Sequence, residues 1–208
     1  KRLRVGVLVT GIHYRHPAVL ANMASALDIV SNGRLELGIG AGWNEEESGA
    51  YGIELGSIKE RFDRFEEACE VLKGLLSQDT TTFDGKFYQL KDARNEPKGP
   101  QQPHPPFCIG GSGEKRTLKI TAKYADHWNF VGGTPEEFAR KRGVLAAHCA
   151  DIGRDPNEIT LSAHVRLGQD RDYRKVVDEA AGHLIGRALQ ILSGARDGHE
   201  KPRSRAVG

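Results

Sequence analysis

Little in this chain points toward a membrane, a nucleic acid or a disulfide framework. Its 208 residues hold no apolar run near the ~20 residues that a bilayer-spanning helix needs, so no membrane partner is expected. Lys and Arg total 30 against 28 Asp and Glu, a formal net charge of +2, which supplies no basic field for nucleic acid. Cysteine is sparse: Cys69, Cys108 and Cys149 are widely spaced and form no C-x-x-C pair. Free cysteine packs as a small hydrophobe, so reduced, buried thiols in a cytoplasmic protein are expected. No signal-peptide pattern opens the sequence at Lys1. What is present, 38% hydrophobic and 28% charged residues, suits a globular fold rather than a disordered chain.

The apolar pattern alternates between strand and helix. Residues 3–10 (LRVGVLVT) form a valine-rich run that predicts a strand buried on both faces. Pro17 suits a first helical position, with Val19, Met23, Leu27 and Val30 following at helical spacing and Gly33 as terminator. Residues 35–40 predict a second strand, and a long loop follows. Ser57 and Glu60 form a capping box for a helix whose apolar face is Ile58, Phe62, Phe65, Cys69, Leu72 and Leu76. Asp84-Gly85 sits between two β-prone runs, a hairpin signal outside the main alternation. After the proline-rich connector 97–106, strands are expected at 107–109, 127–131 and 159–167. Helices are expected at about 114–124, from Thr134 to about Ile152, and at about 173–192. This β-α repetition implies a parallel sheet with covering helices. The length favours an open, doubly wound sheet, since a closed (β/α)8 barrel typically needs ~250 residues.

Three strand ends are rich in glycine: GIGAG at 38–42, GGSG at 110–113 and GGT at 132–134. In either parallel architecture ligands bind at that end of the strands. GIGAG fails as a dinucleotide fingerprint, because Trp43 stands where a third glycine is required and the next capping box begins only at Ser57. Glycines two apart share a strand face. They leave either a smooth wall for a flat ring or phosphate arm, or space for tight packing inside a barrel. GGSG, followed by Glu114-Lys115-Arg116, has the form of an anion nest, with Ser112 as a hydroxyl donor and Lys115 or Arg116 as charge. Gly132 and Gly133 repeat the device one unit later, where Thr134 doubles as a helix cap.

His13 and His16 are spaced H-x-x-H, but zinc would want further Cys, His or carboxylate ligands and no matching cluster follows, so no metal is expected. His16 is placed to cap the helix before Pro17. His164 falls on the polar face of its strand and reads as an inward-packed histidine.

The segments LVTGIHYRHPAVLANMASALDIVSNGRLELGIGAGWNEEE, ERFDRFEEACEVL and PPFCIGGSGEKRTLKITAKYADHWN together resemble the luciferase-like monooxygenases, and within them the actinobacterial branch that uses the deazaflavin coenzyme F420. The resemblance covers about residues 1–165. It implies a (β/α)8 TIM barrel with flavin or deazaflavin at the C-terminal face, against the length argument. It also aligns residues 3–10 with the third barrel strand and finds no eighth strand within 182–208, so the expected barrel is incomplete, with residues 1–193 as its domain and 194–208 as a disordered polar tail.

The resemblance further implies a cis peptide at Val7-Leu8 in a bulge ending the third strand, with Thr10 and Gly11 near the ring. It puts Gly40, Ala41 and Gly42 along the cofactor, Gly110, Gly111, Ser112, Gly132, Gly133 and Thr134 toward its phosphate, and His13, Tyr14, Trp43 and Glu46 near the substrate. Hydride transfer between F420 and a small organic molecule is the expected activity. The alternatives are an FMN-dependent monooxygenase using oxygen, and a noncatalytic barrel portion acting through assembly with another chain. A homo-oligomer is compatible with all three.

Overall fold

A computed structural model describes residues 3–166 and 190–192. Its elements in chain order are β1 (Val5–Gly6), β2 (Thr10–Gly11), α1 (Pro17–Ser31), β3 (Leu35–Gly40), α2 (Glu45–Ala50), α3 (Ile58–Ser77), β4 (Thr81–Asp84), β5 (Gln89–Ala93), β6 (Phe107–Gly110), α4 (Thr117–Tyr124), β7 (His127–Phe130), α5 (Pro135–Asp151), β8 (Thr160–Arg166) and β9 (Gln190–Leu192). One parallel sheet runs β1-β3-β6-β7-β8-β9, with β2 also paired to β3. β4 and β5 form a separate antiparallel hairpin.

Local chemistry sets most boundaries. Ser57 and Glu60 close a full capping box on α3, and Thr134 and Glu137 close another on α5 with Pro135 in the first turn. His16 caps α1, its Nδ1 accepting from the Ala18 amide at 3.1 Å. The acids of the expected 43–56 loop lie instead in the first turn of α2, capped by Asn44, where a helix favours negative charge.

Outward-facing strand residues Leu35, Leu37, Ile39, Phe107 and Ile109 bury against α1 and α3. Trp128, Phe130 and Ala163 form a second cluster with Leu118, Phe138, Leu145 and Cys149 of α4 and α5. The hairpin docks on α3, where the Glu67 carboxylate accepts amide hydrogens from Lys86, Phe87 and Tyr88.

Four further expectations need correction. The run 3–10 is not one strand buried on both faces. It is two short pieces, and Leu3, Val5 and Val7 are exposed because β1 is the sheet edge among the described residues. The cis peptide lies at Leu8-Val9, one residue later than expected. Gln190–Leu192 is a strand, pairing with His164–Arg166, rather than the end of a helix, so a further parallel strand exists where none was found. The remainder of that helix and the tail at 194–208 lie outside the described residues.

The fourth concerns α1. Val19, Met23, Leu27 and Val30 face outward, and the buried side carries Leu20, Ala21, Ala24, Ser25, Asp28 and Ser31. The cause is the connector. Fully buried Asp28 accepts from the Gln101 amide at 3.1 Å and from its side-chain Nε2 at 2.7 Å, and Asn95 donates to Ser25 Oγ at 2.8 Å. Buried donors left without acceptors are costly. Asp28→Ala is therefore expected to lower stability by about 2 kcal/mol, read as a shifted urea midpoint at unchanged slope.

Candidate cofactor site at the C-terminal strand ends

Residue alternation gives the sheet an inward face built from Glu36, Gly38, Gly40, Cys108, Gly110, His127, Asn129, Ser162 and His164. Two cavities open on it, and Leu8 borders both. The larger, about 610 Å³, lies at the C-terminal ends of β2, β3, β6, β7 and β8.

The bulge that forms its back wall can be read from the pairing. Val5 and Gly6 pair with Leu35 and Glu36, whereas Thr10 and Gly11 pair with Ile39 and Gly40. Residues 7–9 thus face only 37–38, one extra residue on the first strand. The alternating glycines exist for this bulge and its neighbour. A side chain at Gly38 would overlap the Val7 carbonyl oxygen, and one at Gly40 would lie 2.9 Å from Val9 Cγ2. At Gly42, with φ +88°, it would run into the His13 ring. So close packing of chain on chain, the other reading of GIGAG, explains Gly38, while Gly40, Ala41 and Gly42 also border the cleft.

Of the expected site residues, Gly11, His13, Tyr14, Trp43, Gly110 and Gly111 likewise line the cleft. Thr10, Glu46, Ser112, Gly132, Gly133 and Thr134 do not. Thr134 Oγ1 accepts from the Glu137 amide at 3.2 Å as the α5 cap. Arg116, a candidate charge for the nest, points to α3, 3.6 Å from Asp63. Glu114 is held by Lys141 and Arg140, whose hydrogen bonds bring its carboxyl down to about 2.

Leu8 and Val9 of the expected bulge line the cleft too, and sequence reading missed Glu47, Phe62, Phe65, Thr117, Asn129 and His164. For Asn129 the signal was present: in HWNF, period two puts His127 and Asn129 on one face and the aromatics on the other.

His13 is wedged between Gly11 and Gly42, with its ring centroid 4.0 Å from that of Tyr14. Its Nε2 lies 3.2 Å from Ser48 Oγ, which itself donates to the Asn44 carbonyl. The hydroxyl therefore accepts, Nε2 carries the proton and Nδ1 keeps its lone pair. Burial lowers the His13 and His164 pKa values below 6.5. Tyr14 donates to Glu47 Oε2 at 2.5 Å, which raises the phenol pKa.

Four buried polar atoms here have no partner among the described residues: His13 Nδ1, Ser112 Oγ, Asn129 Oδ1 and His164 Nε2. Buried polar groups normally find partners. Those of His13, Asn129 and His164 belong to the lining of an apolar cleft, and Ser112 stands in the glycine loop next to it; they fit a ligand with a flat body and polar edges, as a deazaflavin or flavin has. No helix of the described residues is long and apolar enough to cross a membrane.

The model of the luciferase-like monooxygenase family matches residues 1–206. The chain is 30% identical over 190 residues to an F420-dependent glucose-6-phosphate dehydrogenase of Amycolatopsis mediterranei, covering 86% of this chain and 54% of that one. It is 32% identical over 207 residues to the phthiodiolone/phenolphthiodiolone dimycocerosates ketoreductase of Mycobacterium tuberculosis, covering 97% and 53%. Among solved structures, an F420-dependent secondary alcohol dehydrogenase in complex with an F420-acetone adduct superposes with TM-score 0.74 at 25% identity, over 86% of this chain and 54% of that one. The chain thus spans about half the length of the relatives it matches. Parallel β-α units, a bulged strand beside a glycine-lined cleft and the match along almost all of its length agree: the chain belongs to the luciferase-like monooxygenase family, whose structures are TIM barrels, and it forms part of such a barrel wall.

Proposed function

We propose that this chain carries the cofactor site of an F420-dependent oxidoreductase that interconverts a hydroxyl and a carbonyl group on a small organic substrate. The observation that carries the reading is the cleft itself, with its unpartnered polar atoms beside the bulge and the 110–113 loop. The relatives named above, a dehydrogenase, a ketoreductase and an alcohol dehydrogenase, support the substrate class.

Bound in the cleft, F420 would supply a two-electron hydride carrier. The 110–113 loop would take its phosphate side, with Gly110 and Gly111 on the cleft wall and Ser112 Oγ next to them. The bulge residues Leu8 and Val9 would support the ring, with Asn129 Oδ1 and His164 Nε2 meeting polar edges. Phe62 and Phe65 line the wall and would keep water from the reacting atoms. His13 is the proton-handling residue of this reading. Its Nδ1 lone pair has no partner among the described residues, and its lowered pKa keeps the ring neutral at pH 7, ready to take a hydroxyl proton.

Titrating the chain into F420 is expected to quench the coenzyme's fluorescence saturably at one site per chain, while FMN is not held. Binding of FMN with none of F420 overturns the proposal. For alcohol oxidation, the imidazole gains a proton only as pH falls below 6.5, so turnover drops on that acidic side. His13→Gln should remove that limb and lower kcat about 100-fold; an unchanged pH profile removes His13 from the reaction.

A further inference from the structure

The smaller cavity, about 220 Å³, opens on the same sheet face toward the N-terminal strand ends, below the bulge. Barrel interiors are usually filled by bulky branched side chains. Here three adjacent strands bring a carboxylate, a thiol and an imidazole together instead: Glu36 of β3, Cys108 of β6 and His127 of β7, their ligand atoms all within 4.8 Å of one another. The strand register causes this, since Gly38 pairs with Cys108 and Cys108 with His127, which puts Glu36 one inward position below.

We propose that Glu36, Cys108 and His127 form a binding site for a zinc-like divalent cation, distinct from the cofactor cleft. Zinc takes sulfur at about 2.3 Å and nitrogen or carboxylate oxygen at about 2.0–2.2 Å, so tetrahedral ligands stand about 3.3–3.7 Å apart. The trio's ligand atoms, all within 4.8 Å of one another, lie near enough for small side-chain shifts to reach that spacing. Glu36 Oε1 touches His127 Nδ1, and the two must part by about 1 Å to admit the ion. The other carboxylate oxygen is engaged separately, 3.7 Å from Arg4 Nε.

The surroundings suit a ligand imidazole. His127 Nε2 lies 2.6 Å from Ser162 Oγ, and Asn129 Nδ2 donates to the same oxygen at 2.7 Å. The contact between Nδ1 and Glu36 Oε1 holds a proton, which a cation would displace; with the metal on Nδ1, the Nε2 hydrogen and that of Asn129 can both be accepted by the Ser162 hydroxyl oxygen. Such a partner on the far nitrogen orients a metal-bound histidine. Three protein ligands facing a cavity leave the fourth position for water, the arrangement of an open zinc site. A mixed thiolate, imidazole and carboxylate set favours zinc or cobalt over magnesium or calcium.

The test uses the 208-residue chain and the metal alone. Cobalt(II) is expected to bind one equivalent and to give thiolate-to-cobalt charge-transfer absorption. Cys108→Ser, checked for folding by circular dichroism, should abolish that absorption, and Ser162→Ala should weaken binding about 10-fold. On the unsubstituted chain, zinc-edge X-ray absorption should show one sulfur with nitrogen and oxygen neighbours, which keeps the test independent of any variant's folding. A shell without sulfur, absorption that survives Cys108→Ser, or no stoichiometric binding overturns the site. None of these outcomes bears on F420 binding in the upper cleft.

Discussion

Gly38→Ala is expected to destabilise this protein more than any other single methyl addition in the β3 region, by about 3 kcal/mol or enough to prevent folding. The added Cβ would overlap the backbone carbonyl oxygen of Val7. A side chain can rotate away from a clash; a carbonyl fixed in the bulge between two paired segments cannot, because β1 and β2 anchor it on both sides. Two comparisons isolate the cause. Gly40→Ala meets Val9 Cγ2 at 2.9 Å, a side-chain atom that can shift, and should cost about 1 kcal/mol. Gly49→Ala, in α2 with nothing within 4 Å of the new methyl, should stabilise by up to about 1 kcal/mol. Urea melts of the three variants give the order directly. Equal effects at Gly38 and Gly40 would show that the Val7 carbonyl is free to move.

How much of this could be read from the chain alone follows from the range of the forces involved. The capping boxes at Ser57 and Thr134 satisfy their own helix ends, so four residues suffice to find them. The period-two pattern of residues 35–40 and the Asp84-Gly85 turn are equally local. The inner face of α1 was not legible, because the acceptor role of Asp28 depends on Gln101, 73 residues away. Judged by hydrophobicity alone, Met23 and Leu27 are the obvious core positions, and they are exposed. The glycine loops were visible as loops, but what each glycine avoids was not: that Gly42 makes room for His13 needs the path of the chain between them. The Glu36-Cys108-His127 cluster was invisible for the same reason, its members lying 72 and 19 residues apart and meeting only through strand register.

Trp128 ties the second core cluster to the candidate cofactor loop, so its removal should act on both. The indole is fully buried and stacks on Phe138, ring centroids 5.5 Å apart and 3° from parallel, while its Nε1–H donates to the Gly111 carbonyl at 2.7 Å. Trp128→Ala leaves a large void between β7 and α5 and is expected to cost about 3–5 kcal/mol. Trp128→Phe separates the two contributions. It keeps most of the stacking area and removes only the donor to Gly111, so its stability loss should be near 1–2 kcal/mol. Gly111 sits at φ +130°, a backbone conformation held in part by this hydrogen bond and by the Gly111 amide donating to the Asn129 carbonyl at 3.1 Å. With one of the two anchors gone, the F420 binding proposed for the 110–113 loop should weaken by about 10-fold in a chain that is still folded. Fluorescence titration of Trp128→Phe under conditions where circular dichroism shows the native fold reads this directly. Unchanged affinity would mean that Trp128 supports the core alone and that the loop is held by its own backbone.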